Sequence, residues 1–285
     1  MRIGAHVSIA GGADLAVDRG IELGCEAIQI FTKNNNQWRA APLTSEVVDR
    51  FHTKLGDSDI HPVVAHTSYL INLGTPDPAL WEKSFESFET ELERCERLGV
   101  HYLVTHPGSH MGAGTDRGIE NLARAINKAN ARHPEYRVVT LIEQMAGQGT
   151  NLCGSLEQVA QVIDLTEDKK RVGVCLDTAH LFAAGFDYRS AEKYAATIKT
   201  INAVVGLERV KCIHLNDSKT ALGSKVDRHE AIGKGKIGKI GFQLFLQDRR
   251  FRNTPGLLET PTDGTGKYER LNLRMLRKLR EKQLS

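Results

Sequence analysis

The sequence holds no CxxC pair, no apolar run long enough to cross a bilayer, and no large excess of charge of either sign. Its five cysteines (Cys25, Cys95, Cys153, Cys175 and Cys212) are odd in number and widely scattered. That spacing excludes a disulfide scaffold and a thiolate zinc finger. Cys175 and Cys212 lie inside apolar runs, where a reduced cysteine packs as a small core residue. The pattern suits a reducing compartment, so a cytoplasmic location is expected. The opening MRIGAHVSIAGG has one arginine and no apolar h-region, so no signal peptide is expected. No stretch approaches the roughly 18 apolar residues of a membrane span. A net charge of +3 does not announce a nucleic acid. Internal repeats, low-complexity linkers and a visible domain boundary are also missing. With 285 residues and 40% hydrophobic content, one domain spanning 1–285 is expected.

What is present is a series of short apolar runs, the pattern of buried parallel strands. Two come first, Arg2-Ile3-Gly4-Ala5-His6 and Ala27-Ile28-Gln29-Ile30-Phe31. Six more each end in a side chain able to bind a metal. They are Val63–His66, Tyr102–His106, Val138–Glu143, Val174–Asp177, Cys212–His214 and Gly256–Glu259. Helical patterns fall between them. Residues 13–24 carry an apolar face, Asp77-Pro78 caps a helix continued by Leu80, Phe85, Phe88, Leu92 and Leu98, and Ile119, Leu122, Ala125 and Ile126 mark another. Ser155 caps a helix with Leu156, Val159 and Val162, one runs from about Ala191 to Val205, and the last spans about Tyr268–Leu284 with Leu271, Met275 and Leu279 on one face. Eight strand–helix alternations predict an α/β fold, a (β/α)8 TIM barrel. A doubly wound sheet would gather ligands beside one switch point, not from most of its strands.

Three further candidates join the strand ends. His180 follows Asp177 by three residues, and Asp227 and His229 flank Arg228. Their i,i+2 spacing in an extended segment points both side chains the same way. The set is then His66, His106, Glu143, Asp177, His180, His214, Asp227, His229 and Glu259. Nine ligands can serve three ions if carboxylates bridge. Mixed nitrogen and oxygen donors favour zinc or manganese over magnesium or calcium, and such a cluster suits phosphodiester hydrolysis. His52, His61, His101 and His133 fall at helix or loop positions and are expected to be surface or hydrogen-bonding residues rather than metal ligands. His6 is expected to stand behind the ligands, and His110 either lines the mouth or orients a ligand.

These segments together resemble the endonuclease IV family of apurinic/apyrimidinic endonucleases. The matching stretches are GAHVS (4–8), FTKNNNQWRAAPLT (31–44), HTSYLINLG (66–74), THPGSH (105–110), IEQMAGQGTNLCG (142–154), RVGVCLDTAHLFAAGFD (171–187), HLNDSK (214–219), GSKVDRHEAIGKGKIG (223–238) and LLET (257–260). The resemblance implies a xylose isomerase-like barrel with three zinc ions, with partial manganese replacement possible. By motif, His66, His106 and Glu143 would hold one ion. Glu143 would also reach a second, held by Asp177, His214 and Glu259; His180, Asp227 and His229 would hold the third. The implied reaction is hydrolysis 5′ to an abasic site in duplex DNA, leaving a 3′-hydroxyl and a 5′-deoxyribose phosphate, with Glu143 orienting the nucleophile. Removal of blocking groups from 3′ ends is implied as well. The partner is damaged duplex DNA and no membrane, and a monomer is expected. A sugar isomerase or epimerase would also gather Glu, Asp and His on such a barrel, but needs no Asp227-Arg228-His229 and no wedge. A non-catalytic DNA-binding protein stabilised by zinc would bind without nicking.

Tyr69 and Leu70, just beyond His66, match the family's wedge residues, which fill the gap left by an extruded nucleotide. Lys219, Lys225, Arg228, Lys234, Lys236 and Lys239 form a local basic stripe suited to phosphates, and the glycine-rich turn 233–238 is expected to meet one. The chain departs from the family at Asn36, where an arginine usually precedes Gln37-Trp38. Lys33 and Arg39 remain as nearby charges, so this loop is expected to contact DNA yet insert weakly. Replacing Asn36 by arginine should tighten binding to an abasic duplex by about tenfold, through stacking and charge. A fluorescence anisotropy titration checks this, and unchanged affinity counts against an insertion role for the loop.

Overall fold

A computed structural model of the chain describes residues 1–282. Eight parallel strands close into a barrel: β1 (Arg2–His6), β2 (Ala27–Phe31), β3 (Val63–His66), β4 (Tyr102–Thr105), β5 (Val139–Glu143), β6 (Val172–Asp177), β7 (Val210–His214) and, after a short ribbon, β10 (Pro255–Leu258). The ribbon pairs β8 (Asp217–Ser218) with β9 (His229–Glu230), antiparallel, inside the long segment after β7. Around the barrel lie α1 (Asp14–Leu23), α2 (Ser45–Gly56), α3 (Pro78–Arg97), α4 (Thr115–Arg132), α5 (Leu156–Leu165), α6 (Thr178–Ala184), α7 (Ala191–Val204), α8 (Gly238–Gln247) and α9 (Lys267–Glu281). The expected (β/α)8 barrel is therefore observed.

Local chemistry sets the helix starts. Thr44, Asp77, Ser155, Asp177 and Ser190 each accept a backbone N–H from the first turn of α2, α3, α5, α6 and α7. Pro78 adds a preset φ at the first position of α3. Helix α9 differs from the expected pattern. Leu271 is half exposed, and the buried face is Asn272, Leu273, Leu276 and Leu279. The register is shifted because Asn272 turns inward, where its amide donates to Thr260 Oγ1 and accepts from Ile232 N. The expected end of that helix at Leu284 lies outside the described residues.

Alternation of side chains along each strand builds the site. Ala27, Val64, Val104, Leu141, Cys175, Cys212 and Leu257 form a buried apolar cluster separate from the strand–helix core. This is the barrel interior. Two residues further along the same strands come Gln29, His66, His106, Glu143, Asp177, His214 and Glu259. A polar ring thus sits directly on an apolar layer. Strand register sets the heights around the ring: Asp177 pairs with His214, whereas His66 pairs with Phe31 and Val104 and Glu143 with Cys175, so the ring is staggered around the barrel. Gly4 opens the tight side of the barrel, where a Cβ would fall 1.6 Å from the Ala27 carbonyl oxygen. All five cysteines are buried free thiols, two of them in the interior layer. Among the described residues, no helix is long and apolar enough to cross a membrane.

Candidate metal centre

Glu143, at the end of β5 and fully buried, is the centre of the mouth. Its Oε2 lies 3.2 Å from His66 Nε2 and 3.3 Å from His106 Nε2. Its Oε1 lies 3.3 Å from both His214 Nδ1 and His180 Nδ1. Donor atoms of His66, His106 and Glu143 fall within 4.8 Å of one another, as do those of Glu143, Asp177, His214 and Glu259. Asp177, His180 and His229 make a third group of the same kind. Asp227 joins it, with its two oxygens 3.2 Å from His180 Nε2 and from His229 Nε2. The nine residues singled out in the sequence are thus brought to one mouth of the barrel.

Four of the five imidazoles have one nitrogen tied down. His66 Nδ1 donates to the Thr67 carbonyl at 2.7 Å, and His180 Nδ1 to the Gln144 carbonyl at 2.9 Å. His229 Nδ1 reaches the Glu259 carbonyl at 3.3 Å. His214 is reversed: its Nε2 donates to Gln29 Oε1 at 2.8 Å, which leaves Nδ1 facing Glu143 and Glu259. Such contacts fix the tautomer and the direction of the free lone pair. The buried Nε2 atoms of His180 and His229 make no hydrogen bond, although Asp227 oxygens stand 3.2 Å away. Proximity without alignment is what donors arranged around a shared cation would show. This observation and the mixed histidine–carboxylate donor sets fit zinc.

Electrostatics agree. Burial pushes the Glu143 carboxyl up, but His214 and His106 outweigh it and hold the group well below the usual carboxylate range. Burial likewise opposes ionisation of Asp227 and Glu259, and neighbouring imidazoles, His180 with His229 and His214 with His6, bring both down. Burial lowers His229, yet Asp177 and Asp227 raise it overall to about 9. His180 and His214 are raised well above their ordinary value, with burial opposed by Asp177 and Asp227 in the first and by Glu259 and Glu143 in the second. The carboxylates stay ionised and draw positive charge into a buried mouth, which is the condition for holding cations.

Several site residues carried no signal at the ligand positions. Gln29 is fully buried between β1 and β3; besides accepting from His214, its Nε2 donates to Glu259 Oε1 at 2.6 Å and stands 3.0 Å from His6 Nδ1. Asn216 donates to Asp177 Oδ2 at 2.6 Å and accepts from Glu259 N at 2.9 Å. Gln148 accepts from Asp227 N at 3.0 Å. A polar residue inside an apolar strand, two places after Ala27, was the available sign for Gln29. His6 stands behind Glu259, 3.7 Å from its Oε1. His110 turns away from the ligands and accepts N–H bonds from Gly112 and Gly114, shaping its own loop.

The rim corrects two expectations. Lys33 is buried against Glu91 and cannot offer its charge to DNA. The glycine-rich turn is no phosphate cradle, because Gly233, Gly235 and Ile237 all donate their N–H groups to the Asp217 carboxylate. Gly235 is required there, since a Cβ would lie 2.4 Å from Asp217 Oδ1. What remains exposed is Asn36, Arg39, Arg228 and Lys219, Lys225, Lys234, Lys236 and Lys239. Tyr69 is 54% exposed, its ring 5.4 Å from that of His106, and the half-buried Leu70 follows it.

Residues 17–280 match a family described as the xylose isomerase-like TIM barrel. A probable endonuclease 4 of Chloroflexus aggregans is 46% identical over 278 residues, 98% of this chain and 97% of that protein. The crystal structure of endonuclease IV from Thermus thermophilus superimposes with a TM-score of 0.86 at 39% identity, covering 98% of each chain. A D-tagatose 3-epimerase-like protein, at 15% identity and a TM-score of 0.70, covering 99% of each chain, shares the fold alone.

The Gln29 contact generates a test. Gln29→Leu frees His214 to present either nitrogen and leaves Glu259 without its donor. Zinc affinity should fall about 10- to 100-fold, read by competition with a chromophoric chelator. Undiminished affinity would mean that His214 needs no such partner.

Proposed function

The chain belongs to the endonuclease IV family, and on that premise we propose that it is a zinc-dependent endonuclease of base excision repair. It hydrolyses the phosphodiester 5′ to an abasic site in duplex DNA, leaving a 3′-hydroxyl and a 5′-deoxyribose phosphate, and it also clears blocked 3′ ends. The whole chain, 1–285, acts as one barrel domain and as a monomer, in the cytoplasm with its DNA. The observation that carries the reading is the divided Glu143 carboxylate, one oxygen against His66 and His106 and the other against His214 and His180.

In this reading His66, His106 and Glu143 hold one zinc. Glu143, Asp177, His214 and Glu259 hold a second, and His180, Asp227 and His229 hold a third, any of which manganese could replace. Bound there, zinc supplies Lewis acidity toward water and the phosphoryl oxygens. Glu143, kept ionised by its imidazole neighbours, orients the attacking water. The water oxygen adds to phosphorus and gives up a proton, the bond to the 3′ oxygen breaks, and that oxygen takes up one proton to become the hydroxyl, so that one water is consumed and no proton is gained or lost overall at that bond. Tyr69 and Leu70 enter the stack where the abasic nucleotide is extruded, at low cost because no base pair is lost there. Arg228 and the exposed lysines after β7 meet the backbone phosphates, with Asn36 and Arg39 on the opposite rim.

Two outcomes follow. Glu143→Gln should lower nicking of an abasic duplex by at least on the order of 10²-fold while binding of that duplex changes little. Near-normal nicking, with zinc content verified by elemental analysis, would remove Glu143 from this role. The second concerns pH. Because His229 is raised to about 9 from an ordinary 6.5, a proton must leave before zinc enters. Zinc affinity of the stripped protein should therefore climb as pH rises from 6.5 to 9. Folding has the opposite sign in that stripped form. A protonated His229 contributes its stability fully below 6.5 and loses it as pH rises through about 9. The stripped protein should melt lower at pH 9 than at pH 6.5, and the zinc-induced rise in melting temperature should be larger at pH 9. A rise independent of pH would contradict the proton exchange.

A further inference from the structure

Helix α3 carries a carboxylate that belongs to neither the apolar core nor the metal centre. Glu91 is completely buried and stands beneath two rim loops, residues 32–44 after β2 and residues 67–77 after β3. Its Oε2 accepts from Thr32 Oγ1 at 3.0 Å, in the first loop. Its Oε1 accepts from Ser68 N at 2.9 Å, in the second, and lies 3.7 Å from Lys33 Nζ. Lys33 passes the connection outward by donating to the Gln37 carbonyl at 2.7 Å. Ser68 closes the circuit, its Oγ donating to the Asn35 carbonyl at 2.6 Å. The same helix grips the first loop through three more side chains. Arg94 donates to the Thr32 and Ala41 carbonyls, Arg97 to the Leu43 carbonyl, and Lys83 Nζ sits 4.4 Å from the Trp38 ring centroid.

We propose that Glu91 is a positioning residue that locks the loop bearing Asn36 and the loop bearing Tyr69 and Leu70 into one rigid rim. The physical reason lies in the cost of the arrangement. A buried ion pair stabilises a fold weakly, because desolvation offsets the attraction, and two apolar side chains would fill the space as well. What the pair supplies is direction. One carboxylate with two hydrogen-bonded oxygens fixes Thr32 and Ser68 relative to each other, and neither loop can shift without breaking a buried bond. Ser68 is the residue before Tyr69, so the fixed point is adjacent to the exposed ring. The rim is then set before DNA arrives, and the ordering entropy is not spent on binding.

This inference rests on the proposed action on abasic DNA for its kinetic arm but not for its structural arm. The structural arm is amide hydrogen exchange in the zinc-loaded full chain without DNA. Glu91→Gln weakens the carboxylate and leaves Lys33 buried without a counter-charge, so it could fail to fold. The double variant Lys33→Met with Glu91→Met removes both charges together. In the double variant, amides of Asn34–Trp38 and Ser68–Leu70 should exchange faster in parallel. KM for the abasic duplex should rise about tenfold, with kcat and zinc content near those of the parent chain. Wild-type exchange in both loops, faster exchange in one loop alone, or faster exchange with an unchanged KM overturns the proposal, and Glu91 is then a packing residue. Faster exchange in both loops, in a parent chain that does not nick abasic DNA, supports the locked rim and rejects the proposed function instead.

Discussion

The mouth depends on the two-residue repeat of a parallel strand carried around a closed barrel. Because side chains alternate, the residue two places beyond an inward apolar side chain must also point inward. Val64 therefore dictates the direction of His66, Leu141 that of Glu143, Cys175 that of Asp177, Cys212 that of His214 and Leu257 that of Glu259. Strand pairing then fixes their relative heights. The apolar layer beneath is buried and offers no polar partner, so the ring cannot sink and takes its hydrogen-bond partners from within itself and from the loops above. Ligand groups that would repel or desolvate one another in isolation are held together by the core below them.

That crowding explains why so much of the surrounding structure is hydrogen-bonding apparatus. A buried ring of carboxylates and imidazoles is stable only where charge is compensated and each donor has an acceptor. Thr67, Gln144 and Glu259 offer backbone carbonyls to imidazole N–H groups, and Gln29 offers its side chain to the fourth. Asn216 spans Asp177 and the backbone of Glu259, tying β6 to β10 across β7. Further out, Asp217 gathers the amides of the glycine-rich turn and so organises the segment that carries Asp227 and His229. Each successive shell restricts the one inside it, and the third ligand group, which comes from a loop, has its own internal anchor.

The fold was legible because its signals are local. Short apolar runs, capping serines and aspartates, and Pro78 all act within a few residues, and the eight runs became the eight strands. The residues that converge on the mouth were legible because a charged or imidazole side chain closing an apolar run is chemically anomalous. Gln29, Asn216 and Glu91 were not, since an uncharged amide or a helical glutamate is ordinary until its neighbours are known. Lys33 and the glycine-rich turn misled for a related reason. A lysine near a recognition loop reads as a free charge, and a run of glycines reads as free amides, unless the partner that consumes them is visible. Those partners, Glu91 and Asp217, lie 58 and 16 residues away in sequence from Lys33 and Gly233 respectively. Leu271 failed differently, because Asn272 found buried partners and rotated the helix face by one residue.

The distribution of charge across the mouth separates what must be rigid from what must meet a partner. Buried carboxylates at Glu143, Asp177 and Glu91 are each held by side-chain or backbone partners and set geometry. Among the described residues, the exposed charges at Arg39, Arg228 and the lysines after β7 join no such network, apart from the Arg228 contact to the Asp227 carbonyl at 2.5 Å. A modest net charge of +3 is compatible with a strong local field where cations are grouped, as Arg228 and the lysines after β7 are. Phosphate contacts by flexible lysines carry affinity and salt dependence without demanding a fixed geometry. Recognition of a gap in the duplex would demand one, and in the proposed function that task is assigned to Tyr69, a half-exposed ring lodged among Phe31, His66 and His106. A side chain packed on His66 and His106 would, under that proposal, hold the extruded nucleotide and the reacting phosphate in a single frame, so that rigidity at this point would serve recognition and chemistry together.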